Sequence, residues 1–351
     1  MSSSDATKDG LQGVRPGREA TTGAGGTAQP ARRWRRKNRA EAPMVPEARF
    51  DSYYGKPIIN KPVWEGPDIP GYLFLGGLAG AGSVIAAGAQ LTGRPGLART
   101  MKCGSTVAAG LSLTALVHDL GRRTRFLNML RTLKPTSPMS IGSWLLAGYA
   151  PATAAAAASD LTGIAPLAGA AATTAAAVTG PAVATYTAAL IANTAVPAWH
   201  EGHRYLPFVF AASAASAAAG LGLAGAPLRE NEPVLRLGML AGVAELALEQ
   251  VMEKRMGLPG EAYEEGRAKR YGRLAQAVTV AGVLTAGLAG RRSRMAAAAA
   301  GTALLAGSAL TRFAIFQAGL NSADDPKYTV VPQRERLAGR TAARDTTPSL
   351  Q

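Results

Sequence analysis

Eight apolar stretches of bilayer length, separated by short polar segments, occupy the chain from about residue 69 to residue 316. They run over Ile69–Leu91, Met101–His118, Ser140–Ala158, a region within Ile164–Trp199, Leu206–Ala224, Val234–Met252, Leu274–Gly290 and Met295–Phe316. About 20 residues of helix cross a hydrocarbon core of about 30 Å, so each stretch predicts one transmembrane helix. The fourth region is too long for one upright helix, and Gly180-Pro181 predicts a kink or a tilt there. Splitting it in two would make nine spans and put the termini on opposite sides. The fold class expected is all-α: a polytopic transmembrane bundle of about eight spans over residues 69–317. A disordered basic arm over 1–45 and an interfacial aromatic and proline segment over 46–68 precede it, and a polar tail over 318–351 follows.

Composition sharpens this picture. The 351 residues are 47% apolar and 17% charged, and Ala and Gly fill the apolar stretches. Small residues let helix backbones approach closely in lipid, where hydrophobic burial between helices gives no drive. The net charge of +15 comes from basic residues in the tails and short loops. That placement points to membrane topology and anionic lipid, with no nucleic acid as partner. With eight spans, Arg122, Arg123, Arg125, Arg131 and Lys134 share a face with Lys254, Arg255, Arg267, Lys269, Arg270 and Arg273. The opposite face holds Arg94, Arg99, Lys102, Arg229, Arg291, Arg292 and Arg294. The excess predicts cytoplasmic N- and C-termini in the cell membrane. The first 68 residues lack a short basic-then-apolar leader, so targeting falls to the first span.

Few residues could carry chemistry. One cysteine, Cys103, excludes an intramolecular disulfide, and an iron–sulfur cluster needs about four thiolates. The three histidines, His118, His200 and His203, are not grouped with other metal ligands, so no metal site is expected. The glycines of Gly76-Gly77-Leu78-Ala79-Gly80 lie inside a span and read as helix packing rather than a phosphate loop.

The segment from His118-Asp119-Leu120-Gly121-Arg122 to Ser143-Trp144 is the richest. Asp119 can accept from Arg122 or backbone amides. Gly121 permits a sharp turn. Phe126, Leu127, Met129 and Leu130 suggest an amphipathic interfacial helix. Ser137-Pro138 restarts a span with a capping hydroxyl and a proline in the first turn. The segment reads as a docking platform beside a quinone headgroup pocket, or as an interfacial helix fixed by its own salt bridges. His200 and Glu201 end the fourth region, where they could meet quinone carbonyls and exchange protons or simply anchor the interface. Glu245 and Glu249 share one helical face, which must look inward. They offer a proton path, or Glu249 reaches the interface. Arg312 is expected to snorkel.

At these residues the chain resembles the NrfD / polysulfide reductase membrane-subunit family, over roughly Trp64 to Arg336. The resemblance rests on Tyr72-Leu73-Phe74-Leu75-Gly76-Gly77-Leu78-Ala79-Gly80, on Asp119-Leu120-Gly121-Arg122 with Phe126-Leu127-Asn128-Met129-Leu130, and on Ser137-Pro138-Met139-Ser140-Ile141-Gly142-Ser143-Trp144. Ala198-Trp199-His200-Glu201 is similar to an actinobacterial-type branch often encoded with a molybdenum formate dehydrogenase. The resemblance implies an eight-helix, haem-free anchor that exchanges electrons with menaquinone. Its partners would be a four-cluster iron–sulfur subunit and a molybdopterin catalytic subunit, and the chain alone would not be catalytic. Asp119 and Arg122 belong to the loop motif and Tyr72 to the first-span motif. The family pattern has a quinone-ligating histidine ahead of the first span, but no histidine precedes His118 here. His118, Glu65 or His200 would substitute.

The expected quinone and proton-handling set is therefore His118, Asp119, Arg122, Tyr72, Trp64, Glu65, Trp144, His200 and Glu201. Asp119 and His118 would handle protons, Arg122 would hold Asp119 or the loop, and Tyr72, Trp64 and Trp144 would line or roof the headgroup. Partner docking would use Arg123, Arg125, Phe126, Asn128, Arg131 and Lys134. The alternatives are a secondary transporter built on Glu245 and Glu249, and a purely structural anchor.

Overall fold

The computed structural model describes residues 5–7, 10–12, 58–60, 62, 64, 66–119 and 128–345. The chain divides into two units. One, Pro62–Asn321, holds the helix bundle; the other joins Met1–Lys61 with Ser322–Gln351. In the second unit, β1 (Asp5–Thr7) pairs antiparallel with β2 (Gly10–Gln12), Asp5 opposite Gln12. A last helix there, over Lys327–Asp345, starts where Asp325 accepts from the Lys327 amide at 2.9 Å.

The bundle is built from eight long helices among the described residues. They are α1 (Asp68–Leu91), α2 (Pro95–Asp119), α3 (Pro138–Thr162), α4 (Pro166–Ala192), α6 (Leu206–Gly225), α7 (Glu232–Arg255), α8 (Gly266–Ala289) and α9 (Arg294–Asp324), with a short α5 (Pro197–Glu201) between α4 and α6. The starts follow local chemistry. Pro95, Pro138, Pro166, Pro197, Pro207 and Pro233 stand in first turns, where a missing amide hydrogen breaks no bond. Ser137 caps α3, its hydroxyl accepting from the Ser140 amide at 3.4 Å, as its position before a proline predicts. Gly93 (φ 69°) turns the chain after α1, and Gly163 (φ 72°) ends α3 in the left-handed region that favours glycine.

The overlong fourth region resolves as one span. Helix α4 runs through Pro181 without interruption, ends at Ala192, and the chain restarts at Pro197 as α5. Val196 precedes a proline and is extended (ψ 118°), so the helix cannot continue there.

Consecutive helices run antiparallel, so their ends gather at two faces. The start of α1, the end of α2 and the turn after α4 share face A; the turns after α1, α3, α6 and α8 share face B. Among the described residues five helices, α1, α4, α6, α8 and α9, are long and apolar enough to cross a membrane by length and composition. Helices α2, α3 and α7 are of similar length but carry more charge or hydroxyl groups, and each packs against one of the apolar helices. Val107, Leu111, Val178, Phe208, Leu240 and Leu284 face outward, while Ser83, Ser112, Thr187 and Ser213 are buried. Apolar outside and hydroxyl inside is the arrangement a lipid solvent favours.

Two glycine contacts set the closest crossings. A Cβ on Gly80 of α1 would strike the Gly180 carbonyl of α4, and one on Gly180 would strike the Gly80 carbonyl. Gly220 of α6 and Gly301 of α9 stand in the same reciprocal relation.

Candidate functional site

Three groups of polar side chains need a reason to be where they are. The first is at face A. The α1–α2 hairpin joins helices of 24 and 25 residues, so the first turn of α1 meets the last turn of α2. Asp68 at a helix start and His118 at a helix end each suit the helix dipole. There His118 Nδ1 lies 2.6 Å from Asp68 Oδ2. The carboxylate on His118 thus comes from the start of α1, a partner that the sequence reading did not name. Asp119 closes α2 and is half-buried.

One turn deeper, Tyr72 is buried and its hydroxyl bonds that of Tyr186 on α4. Ser112 on α2 donates to the Tyr72 carbonyl at 3.2 Å. A Cβ on Gly142 would enter the Tyr186 ring, so this glycine gives the ring its space. Tyr186 was not foreseen; one tyrosine in an Ala/Thr run was its only signal.

Trp199 was also underestimated. Helix α5 drives it fully into the bundle, where it stacks on Trp64 (centroids 5.5 Å, planes 27° apart) and meets Phe316 at 5.7 Å. Its Nε1 donates to the Ile315 carbonyl at 2.8 Å, and Gly319 leaves room for the ring. Trp64 therefore joins an aromatic column. With Trp199 inward, His200 is exposed and Glu201 half-buried, the His200 ring 5.9 Å from that of His203.

Trp144 is 44% exposed on α3. Asn128, Arg131 and Lys134 are exposed on the described part of the α2–α3 connection. Ser140 holds that connection by donating to the Thr132 carbonyl and accepting from the Lys134 amide, both at 3.0 Å. Glu65, Arg122, Arg123, Arg125 and Phe126 lie outside the described residues, as does most of the expected interfacial helix.

The second group lies inside the bundle. Glu245 and Glu249 on α7 are 1% and 6% exposed, which satisfies the expectation that their face looks inward. Arg312 on α9 overturns the snorkelling expectation: it is 1% exposed. Its guanidinium sits 3.8 Å over the Phe210 ring and donates from Nη2 to the Phe210 carbonyl at 3.0 Å. Gly77 on α1 lies beside it, where a Cβ would make an ordinary 3.7 Å contact with Nη2 and a tighter 3.3 Å one with the Ala214 side chain. The Phe210 ring cloud holds the cation, and Glu245 and Glu249 on α7 lie close enough to act on it. Both oxygens of Glu245, Oε1 of Glu249, and Nε and Nη1 of Arg312 have no hydrogen-bond partner. Each ionisable group at bilayer depth costs about 3 kcal/mol or more, so such a set is retained for a task.

Toward face A, Glu253 continues the same side of α7, and Tyr263 in the following turn is buried with an unbonded hydroxyl. Burial pushes the Tyr263 hydroxyl up from its ordinary value, and the charges of Glu253 and Glu249 push the same way.

The third group is at face B and is structural. Arg99 and Lys102, assigned to a loop from sequence, lie in α2 and pair with Asp160 of α3 at 2.9 and 3.1 Å. Glu230 accepts from the Leu97 amide at 2.8 Å, a carboxylate at the start of α2. Arg291 pairs with Glu232 at 2.7 Å, and Arg294 donates to the Leu223 and Ala224 carbonyls at the end of α6. No group of three or more histidine, cysteine or acidic side chains suited to a metal occurs among the described residues.

Comparison with known proteins gives one family. Residues 59–230 match the model for "Polysulphide reductase, NrfD", a stretch that spans α1 to the turn after α6. No curated protein matches the chain.

Proposed function

This chain belongs to the polysulphide reductase NrfD family, the membrane subunits of polysulphide-reductase-like complexes, and on that premise we propose that it is the quinone-reactive anchor of a molybdopterin and iron–sulfur oxidoreductase. The family's members generally pair with iron–sulfur and molybdopterin subunits. For this chain the proposed partners are a four-cluster iron–sulfur protein and a molybdopterin enzyme of the formate dehydrogenase kind, docked at face A over Asn128, Arg131 and Lys134. The exchangeable substrate is menaquinone.

The observation that carries the reading is the Asp68–His118 pair, one turn above the buried Tyr72–Tyr186 hydroxyls and inside the stretch that matches the family. Reducing a quinone adds two electrons and two protons to its carbonyl oxygens. Electrons come from an adjacent cluster in the partner; protons must come from side chains that reach both water and an apolar slot. His118 is 65% exposed and can refill from solvent, with Asp68 fixing its ring orientation. Tyr72 offers a hydroxyl at the apolar end. Asp119 is the second candidate for proton handling.

The test is quinone reduction by the assembled complex carrying His118→Gln or Asp119→Asn. Loss of a general acid lowers turnover by about a hundredfold or more. Such a loss, with the iron–sulfur protein still bound, supports the reading. Unchanged quinone turnover in both variants overturns it and leaves a structural tether.

A further inference from the structure

We propose that Glu245, Glu249 and Arg312 form a proton-holding site in the membrane interior, open toward face A through Glu253 and Tyr263 and closed toward face B. The site stands on its own geometry and does not depend on quinone binding at the first two helices. It also lies on α7 and α9, beyond the residues that match the family.

Three observations converge. Glu245, Glu249 and Glu253 recur every four residues, so they climb one side of α7 in successive turns. Glu245 sits about 15 Å from the end of α7 at 1.5 Å per residue, deep in the apolar layer. The groups are buried but under-bonded: the Glu245 oxygens, the Glu249 Oε1, the Arg312 Nε and Nη1, the Ser216 Oγ and the Tyr263 hydroxyl lack partners. Proteins bond buried polar atoms almost without exception, so unsatisfied donors and acceptors gathered between α6, α7 and α9 mark a place for protons and water.

The charged and polar surroundings follow from the elements packed around it. Helix α7 supplies the three carboxylates and α9 supplies Arg312 and Thr311. Helix α6 gives hydroxyls, Ser213 and Ser216, with Ser213 bonded to Ser308 of α9 at 2.8 Å. Helix α1 gives Gly77 and α8 gives Thr279. At the mouth on face A, Glu253 is half-buried and Glu264 is exposed, paired with Lys269 at 3.0 Å.

Toward face B an apolar layer follows. One turn beyond Glu245, Gly242 and Gly238 pack against Val283, Leu304, Ala219 and Leu223. Leu304, Leu223 and Ala219 are fully buried, and α6 and α9 touch there at Gly220 and Gly301. A proton passing Glu253 to Glu249 to Glu245 therefore reaches a dead end. Each transfer moves one proton from a carboxylic acid to the next carboxylate and no electron. Arg312 stays protonated and balances the carboxylate when the proton leaves.

The test uses the full chain in lipid vesicles, treated with dicyclohexylcarbodiimide, which adds to protonated carboxyl groups in apolar surroundings. Peptide mapping should find the adduct on Glu245 or Glu249. It should increase as the solution on face A is acidified and be lost in Glu245→Gln or Glu249→Gln. Arg312→Met, which removes the balancing cation, should raise labelling at a given pH. Vesicles holding the native chain should show no passive proton leak, because the path is closed toward face B. Absence of the adduct overturns the proposal. So does protection by sodium ions, which would make the cluster a cation site, and so does a leak abolished by Glu245→Gln, which would make it a channel. If a variant fails to assemble, the native chain still decides: a carboxylic acid band in its infrared spectrum that shifts in deuterium oxide is expected, and its absence counts against the site.

Discussion

Trp199 shows how one side chain can organise an end of the bundle. It links three pieces of chain: Trp64 before α1, α5 itself, and Ile315, Phe316 and Gly319 on α9. Removing so large a buried ring costs about 3–5 kcal/mol. Trp199→Ala should therefore lower the thermal midpoint of the detergent-solubilised protein, and Gly319→Leu should do the same by denying the ring its space. A fluorescence melt that is unchanged in both variants would contradict that role. Arg312 teaches the converse lesson. A lone arginine near the end of a span reads as one that reaches the interface, yet the Phe210 ring and carbonyl hold it inside. Phe210 is far from Arg312 in sequence, so no local pattern announces the contact.

At the scale of elements, helix packing depends on where side chains are absent. The Gly80–Gly180 contact brings α1 and α4 together, and Gly220–Gly301 does so for α6 and α9. Gly80→Leu places a side chain against backbone, which cannot yield as a flexible side chain can, so it should destabilise by about 1–3 kcal/mol or more. Gly88→Leu, with nothing within 4 Å, should leave the melt unchanged and serves as the control. Equal effects at the two sites would sink the argument. The start of α3 and the burial of one face of α7 were legible from Ser137-Pro138 and the Glu245/Glu249 spacing. The end of α4 at Ala192 was not, because the apolar run continues past it into α5, and only Pro197 hints that the helix must stop.

For the bundle as a whole, eight antiparallel helices put the α2–α3 and α7–α8 connections on one face and the α3–α4 and α6–α7 connections on the other. In a Cys103→Ala background, Pro135→Cys and Lys254→Cys should react with a membrane-impermeant thiol reagent from one side, and Leu161→Cys and Arg229→Cys from the other. A mixed pattern would contradict the count of eight. The same map reports orientation. The charge rule favours face A inside the cell, and the arginines that seemed to oppose it have other duties. Arg291 pairs with Glu232, Arg294 satisfies carbonyls at the end of α6, and Arg99 and Lys102 pair with Asp160. Labelling of Pro135→Cys only from outside intact cells would overturn that orientation.

From its sequence alone the chain determined its all-helical class, the order of its apolar stretches, where most of the helices begin, and the family motif in the first three. Those properties are local: hydropathy, proline and capping residues act over a turn or two, whatever lies across the bundle. Only the tertiary structure decided that His118 meets Asp68, that Tyr72 meets Tyr186, and that Arg312 is drawn in beside Glu245 and Glu249. Such meetings depend on how each helix is rotated and how closely it crosses its neighbour, and glycines on opposite helices set both.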